Sequence, residues 1–561
     1  MSCENPATDK DALMTPRTKF DKSRICVKCK LNLGNIIIRH AVYCKECFFP
    51  LISARFRKSL EPSVNPIPDG PRKKGLKAAG NLLLGFSGGL GSTVLIDLVW
   101  RSYFERMEAE AQEEEKRNKH GERGEEEKEK KEQRGGKDHP RKAKVWKKTM
   151  VCYIETCGAF PGMKDRTEQT RSVLDRYKSF EFMPLRLEDA FDESWWVSVG
   201  GRPKAGHLGI DITNEELFLS PSPSSTTTPN NPLTALRTYI SSLPTQTAIP
   251  SAVHTLTRLL LLHTAAAQGC SHLLLGTSLT SLSVSLIAGI SQGGGFSVRE
   301  EAQEEWVPIR RSGGEEKAKE QLNVRIIRPL REVGIKECAI WAWWMELKVV
   351  GRERYAGGRQ GIGALTRDFI MGLERDYPST VSTIARTCAK LAPKEGSDGV
   401  CILCERPAQH GVQEWKSRIS IRSYKDAGVS PPHLASSSRS ATSAPILPSF
   451  SQTNHTTSSQ ITDSLTPYLC YACHTTLTSR SSRGTAGSSL TNGKSINESD
   501  KENVPLPVWV TAGIRDKSDS KRMPMGDGEE DEEQIEGERW RTTRMDEGAM
   551  KGVIGEFLLD E

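Results

Sequence analysis

Residues 81–100, NLLLGFSGGLGSTVLIDLVW, constrain the fold of this chain more than any other stretch. Residues 81–84 suit a buried strand, residues 85–91 form a glycine-rich turn, and a helix opens at Ser92 and Thr93. A strand, a glycine turn and a helix N-terminus together make a phosphate cradle. The glycines let the backbone approach an anion, and unpaired N–H groups at the helix start point towards it. No Gly-Lys-Ser/Thr follows, so the turn is not a Walker loop. Ser87, Gly88, Gly89 and Ser92 are the candidate phosphate contacts; a plain strand–helix turn is the competing reading.

From this point the pattern alternates. Strands are expected at residues 150–154, 182–187, 272–275 and 324–327, with helices at 92–104, 166–177, 233–243, 251–268, 279–290 and 335–350. Repeated strand–helix units predict an α/β domain, a parallel sheet with helices on both faces. Ligands on such sheets sit beyond the carboxyl ends of the strands, where the glycine turn lies. Two polar insertions, residues 105–148 and 299–321, lack an apolar face and read as solvated surface. Residues 220–232 read as a Ser/Thr/Pro-rich loop. The helix carrying Trp341, Trp343 and Trp344 reads as core or as a subunit anchor.

Cysteine spacing supplies the second constraint. Of 14 cysteines, eight fall in four Cys-x-x-Cys pairs: Cys26/Cys29, Cys44/Cys47, Cys401/Cys404 and Cys470/Cys473. Each pair forms a tight turn aiming two thiolates at one ion, and two pairs complete a tetrahedral Cys₄ zinc site. Two structural zinc sites are therefore expected. The second spans a Ser/Thr-rich stretch, residues 436–464, which closure entropy permits because that cost grows only logarithmically with loop length. His474, beside Cys473, is the poorer ligand. Residues 34–43 read as one strand, so the first tetrad is expected to be a small zinc ribbon.

The resulting organisation is a disordered start (1–24), an N-terminal zinc ribbon (25–60), a basic linker (61–80) and the α/β domain (81–350). A helix and zinc module with its Ser/Thr-rich insertion follow (351–477), then a mostly disordered acidic tail (478–561). An apolar end at residues 553–559 is a candidate docking segment. Formal charge is +7, but residues 523–561 hold 13 acidic against four basic side chains, leaving the remainder at +16. A basic body fits a nucleic-acid partner. Arg55, Arg57 and Lys58, beside the ribbon, are the candidate phosphate contacts. Residues 1–20 are polar, without the apolar core of a signal peptide. No run of about 18 apolar residues spans a membrane. A cytoplasmic or nuclear chain is expected, with thiols rather than disulfides.

The loop reads Ser87-Gly88-Gly89-Leu90-Gly91-Ser92 and resembles the pyrophosphate loop of ATP-dependent tRNA sulfurtransferases, Ser-Gly-Gly-x-Asp-Ser, with Gly91 at the acidic position. The order of parts, together with LGTSLTSLSVSLI (residues 275–287), RPLRE (328–332) and YPSTVSTIAR (377–386), resembles the cytoplasmic tRNA 2-thiolation protein 2 family. That resemblance covers most of residues 25–473 outside the insertions. It implies a pyrophosphate-loop (adenine nucleotide alpha hydrolase-like) fold with zinc-ribbon modules and disordered insertions. It also implies a cytoplasmic heterodimer with the catalytic tRNA 2-thiolation protein 1 subunit. The pair would bind tRNA and thiolate the wobble uridine (mcm5s2U) of tRNA Lys, Glu and Gln at C2. Sulfur would come from a thiocarboxylated ubiquitin-like carrier, and the family links the pathway to conjugation of that carrier to proteins.

The chain departs from the active pattern where chemistry needs it. Active relatives carry Leu-Gly-His followed by a pair of Asp; here Thr277 follows Gly276, and Thr280 and Ser281 stand where carboxylates would be. Neutral hydroxyls do not hold Mg²⁺ as carboxylates do. Cys152, Cys157 and Cys270 lack the spacing of a sulfur-handling set and read as buried or incidental thiols. The expectation is a subunit without ATP turnover that scaffolds its partner and helps bind tRNA. A catalytic ATP-dependent sulfurtransferase and a zinc-ribbon adaptor without a tRNA role are the alternatives.

Overall fold

The computed structural model describes residues 25–39, 41–64, 80–105, 145–201, 208–221, 231–307, 323–351, 361–391, 399–409, 464–479 and 503–514, and a few single positions such as Glu108. The expected disordered start, most of the linker, the bulk of both polar insertions, the Ser/Thr-rich stretch and the acidic end with residues 553–559 lie outside the described residues.

The N-terminal cysteine segment holds a hairpin, β1 (Ile36–Ile38) and β2 (Ala41–Tyr43), with Ile36 opposite Tyr43. The single strand expected over residues 34–43 is two strands because the chain turns at Arg39, in the left-handed region at φ +55°. Helix α1 (Lys45–Val64) follows directly. Phe48, Ile52, Phe56, Leu60 and Val64 recur every fourth residue along it and are fully buried. They pack with Leu82, Leu84, Val94 and Leu98 of the next strand and helix. Each such side chain contributes about 1.5–3 kcal/mol on burial. The ribbon is therefore not a detached module. Its helix belongs to the α/β core and runs through the expected boundary at residue 60.

Strand β3 (Asn81–Phe86) leads into α2 (Leu90–Tyr103), and β4 (Thr149–Glu155), α3 (Thr167–Leu174) and β5 (Glu181–Arg186) extend the sheet. After α4 (Glu193–Ser198) come two short strands, β6 (Leu208–Ile210) and β7 (Leu219–Pro221), so the expected loop at 220–232 begins with strand. Helices α5 (Pro232–Ser242) and α6 (Ala248–Ala267) return the chain to β8 (Cys270–Leu275) and α7 (Leu279–Ser291). Then come α8 (Val298–Ala302), β9 (Glu304–Trp306), β10 (Val324–Ile327) and α9 (Ile335–Trp344).

The main sheet has the order β5-β4-β3-β8-β10-β9, parallel except for β9, which is antiparallel to β10. The chain builds outward from β3 to β5, then crosses back to lay β8 on the other side of β3. The topological switch point, where such sheets place ligands, is thus between β3 and β8. Period-2 alternation sends Leu83 to the core under α5 and α6, and Leu82 and Leu84 to the core under α1, α2 and α9.

Three expected surface segments contain core. Trp146, inside the first insertion, is buried against Tyr103 and His272. Glu304 and Trp306, inside the second, are buried on the sheet edge. Beyond α10 (Ile362–Asp376), α11 (Pro378–Lys390), the hairpin β11 (Gly399–Val400) and β12 (Pro407–Ala408), and α12 (Tyr471–Thr478), strand β13 (Val504–Pro505) pairs with β6. Val508, Trp509 and Val510 then enter the core, within what reads as tail.

Candidate functional site

The glycine loop joins β3 to α2 at the switch point, and its polar groups are turned on each other. Ser92 Oγ donates to Gly89 O at 2.8 Å, and Thr93 Oγ1 donates to the same carbonyl at 3.1 Å. Ser87 N donates to Ser92 Oγ at 3.3 Å, and the two serine hydroxyls lie 3.3 Å apart. Two backbone approaches close the loop further. A Cβ on Gly91 would lie 2.1 Å from the carbonyl oxygen of Gly276, so the loop after β3 and the loop after β8 touch main chain to main chain. Gly351 N donates to Gly88 O at 2.9 Å, and Arg166 Nη1 donates to Gly351 O at 3.2 Å. Residues 350–351 therefore lie against the glycine turn. No carboxylate fits at position 91 unless Gly276 moves.

The neighbouring positions carry the same message. Thr280 Oγ1 donates to Glu374 Oε2 at 2.7 Å and accepts from Ile335 N at 3.0 Å, which ties α7 to the start of α9. Ser281 N is capped by Ser278 Oγ at 3.2 Å. An open depression of about 470 Å³ lies at the carboxyl ends of β4 and β5, lined by Asp165, Glu168, Arg186 and Asp189 among others, and none of its lining residues belongs to the glycine loop. Its acidic walls oppose a phosphate.

The structure brings together both cysteine tetrads: Cys26, Cys29, Cys44 and Cys47, and Cys401, Cys404, Cys470 and Cys473, with ligand atoms in each within 4.8 Å of one another. Cys29 and Cys44 Sγ are 3.8 Å apart, and Cys404 and Cys470 Sγ 3.7 Å. A tetrahedral ion with Zn–S of ~2.3 Å sets its thiolates roughly 3.8 Å apart. The donor sets therefore fit one tetrahedral metal ion each. Burial raises the Cys26 thiol, but the backbone N–H groups of Cys29, Cys44 and Lys28 outweigh it and hold the group at about 6. Burial and the adjoining thiols push Cys47 up to about 12.

The tetrads share one design that spacing did not disclose. In each, the first pair sits on a knuckle: Lys30 N donates to Cys26 O at 2.9 Å and Glu405 N to Cys401 O at 2.7 Å. Lys30 and Glu405 both lie in the left-handed region, at φ +59° and +52°. The second pair sits at a helix start, Cys44/Cys47 at α1 and Cys470/Cys473 at α12. Helix N-termini favour thiolate, as they favour any anion. His474 faces away from the thiolates, its Nε2 donating to Glu215 O at 2.9 Å.

A buried charge network supports the second tetrad, and nothing in the sequence signalled it. Arg258 of α6 pairs with Glu304 of β9 and donates to Cys404 O at 2.7 Å. Glu405 accepts from Trp306 Nε1 at 2.8 Å and lies 3.1 Å from His263 Nε2. Although burial raises Glu405, His263, Trp306 and Arg258 leave it below the ordinary carboxylate value. Arg406 donates to Glu301 at 2.5 Å, and Trp509 Nε1 to Leu403 O at 3.2 Å.

The remaining candidates separate. Arg55 Nη1 donates to both oxygens of Glu337, at 3.0 and 3.1 Å, and joins α1 to α9. Its guanidinium is thus paired within the fold, whereas Arg57 and Lys58, the other two expected phosphate contacts, are exposed. Cys152 and Cys270 are buried in the sheet, and burial raises both thiols. Cys157, half-buried, is raised to about 11 by burial and nearby carboxylates. Among the described residues no helix is long and apolar enough to cross a membrane.

The chain is similar in sequence to several known proteins. The model of the family described as cytoplasmic tRNA 2-thiolation protein 2 matches residues 361–475. The protein of that name from Bos taurus is 25% identical over 413 residues, covering 68% of this chain and 71% of the relative. That from Phaeosphaeria nodorum is 25% identical over 412 residues, covering 70% and 88%. That from Homo sapiens is 31% identical over 180 residues, covering 30% and 33%. A distant likeness links 68% of this chain to 95% of the U34-tRNA thiolase NcsA from Methanococcus maripaludis, solved with its 4Fe-4S cluster, at a TM-score of 0.38 and 15% identity. The family model's match spans the second cysteine tetrad, and the relatives' matches cover about 70% of the chain, so the comparisons support the cytoplasmic tRNA 2-thiolation protein 2 family for this chain.

Proposed function

We propose that this chain is the non-catalytic, tRNA-binding subunit of a cytoplasmic heterodimer that thiolates the wobble uridine of tRNA. Family membership supports the role in tRNA 2-thiolation. The absence of turnover rests on one observation above all: main-chain contact between Gly91 and Gly276 leaves no space for the acidic side chain that the loop of active relatives carries. The self-bonded Ser87 and Ser92 and the engaged Thr280 support the same reading. Transition-state charge at a phosphoryl centre needs preorganised counter-charge or metal, and this loop offers neither.

In this reading the adenylating chemistry belongs to the catalytic tRNA 2-thiolation protein 1 subunit, and sulfur arrives from a thiocarboxylated ubiquitin-like carrier whose conjugation to proteins uses the same pair. Two structural zinc ions would sit in the tetrads, held by Cys26, Cys29, Cys44 and Cys47 and by Cys401, Cys404, Cys470 and Cys473. With four protein thiolates each, they would stabilise the fold and leave no open coordination position. Arg57 and Lys58 would meet tRNA phosphates.

The test is pyrophosphate release. The purified chain with ATP and tRNA is expected to release none, whereas the complex with its catalytic partner does. Deleting the chain is expected to abolish wobble-uridine 2-thiolation, measured by nucleoside mass spectrometry. Release by the chain alone would identify it as a sulfurtransferase in its own right, and intact thiolation after deletion would leave only an adaptor role.

A further inference from the structure

Helix α9 places a tryptophan where the fold does not need one. Trp343 is 73% exposed, although Trp341, two residues earlier, is buried and donates from Nε1 to Asp97 Oδ2 at 2.8 Å. Trp343 is nevertheless rigidly backed. Its ring stacks on Trp344 with centroids 6.2 Å apart and planes 26° off parallel. Trp344 is pinned edge-on by Phe48 at 5.2 Å and Phe49 at 5.7 Å, at the metal end of α1. The Lys45 ammonium, next to Cys44, lies 5.7 Å over the Trp344 ring.

The surroundings carry more positive than negative charge, although Glu346 is exposed three residues after Trp343. Lys336, two helical turns before Trp343 on the same exposed face of α9, reaches the ribbon, its Nζ donating to Ile37 O at 3.3 Å. Residues 25–58 carry seven lysines and arginines against one carboxylate, Glu46. Even after the two formal negative charges of a zinc tetrathiolate, that segment stays positive. A fixed aromatic face in a positive field is the arrangement that binds single-stranded nucleic acid: bases stack on the ring while cations track the backbone. A tryptophan anchoring a protein interface instead sits in an apolar, desolvated patch.

We propose that Trp343 is the stacking platform for an unpaired base of the bound RNA, with Lys45 and Lys336 beside it for the adjoining phosphates. This rests on the tRNA-binding reading above and deepens it, because it names where a loop nucleotide of the tRNA, rather than its duplex, meets this subunit.

The test uses the full-length protein and a fluorescein-labelled tRNA transcript, with affinity followed by anisotropy at several salt concentrations. Trp343→Ala is expected to weaken binding about 5- to 150-fold, the range for loss of one base–aromatic stack, with an unchanged salt slope. Trp343→Phe is expected to hold affinity within about 3-fold, while losing the tryptophan quenching that RNA produces in the unsubstituted protein. The double reversal Arg57→Glu, Lys58→Glu is expected to weaken binding and flatten the salt slope. If Trp343→Ala binds like the unsubstituted protein while the double reversal weakens binding, the platform is refuted and the tRNA reading stands. If the unsubstituted protein binds no tRNA, the tRNA reading itself fails, and this inference with it. If Trp343→Ala keeps RNA affinity but loses co-elution with the catalytic subunit, the ring belongs to a protein interface, and the inference is overturned.

Discussion

Lys30 and Glu405 follow the second cysteine of their knuckles, and both adopt the left-handed backbone that glycine adopts without strain. A non-glycine residue there costs about 1–2 kcal/mol. Lys30→Gly is therefore expected to raise stability by about 1 kcal/mol, read from urea unfolding of the metal-loaded protein. Glu405→Gly is expected to lower it despite the same backbone relief, because Glu405 holds Trp306 and His263 from a buried position. Gly91 shows the opposite constraint. Gly91→Asp would restore the residue of active relatives, but its Cβ meets Gly276 O at 2.1 Å. The expected outcome is a lower melting temperature with no pyrophosphate release. In the network behind the second tetrad, Glu304→Ala would leave Arg258 buried without its counter-charge. Breaking a buried pair from one side costs about 3–5 kcal/mol, so a large drop in the urea midpoint is expected.

Among the elements, α1 decides how the N-terminal metal ribbon meets the sheet. Its buried stripe supplies most of the attachment, and the Arg55–Glu337 pair, with both side chains largely buried, fixes its rotation against α9. Glu337→Ala is expected to cost about 1.5–3 kcal/mol, as a charged hydrogen bond does, with the first tetrad's metal retained. The other end of α1 is pH-sensitive. His272 of β8 donates from Nε2 to Ser63 O at 3.1 Å, and its Nδ1 lies 2.8 Å from Ser271 Oγ, a hydroxyl able to donate to the neutral ring. Burial depresses this histidine below its ordinary value near 6.5. The stability gained by keeping it neutral is full above pH 6.5 and lost as pH falls through the folded value. Thermal unfolding between pH 7.5 and 5 should show a decline that His272→Gln flattens.

At the scale of the whole molecule, residues 503–514 are distant in sequence from everything they touch. They pair with β6, and Trp509 donates to the knuckle that carries Cys401 and Cys404. Truncation at residue 500 is therefore expected to release one of two bound metals per chain, measured by metal analysis, and to leave the first tetrad loaded. The cysteine pairs and the strand–glycine–helix unit were legible in the sequence because each is local: spacing over a few residues specifies a thiolate turn, and an apolar run ending in glycines specifies a strand and its loop. The parallel sheet was legible for the same reason, as the repetition of local units. What only the tertiary structure decided depends on long-range contact. Trp146 and Trp306 sit in polar surroundings along the chain and Trp509 in a short apolar run beyond a long polar stretch, and their burial is set by neighbours more than 90 residues away, such as His272, Glu405 and Leu403. Arg55 looked like a free cation until Glu337 lay beside it. Whether the glycine loop is open or shut depended on residues 276 and 350–351, which no pattern within the loop encodes, because a backbone contact between two glycines leaves no mark on either local sequence.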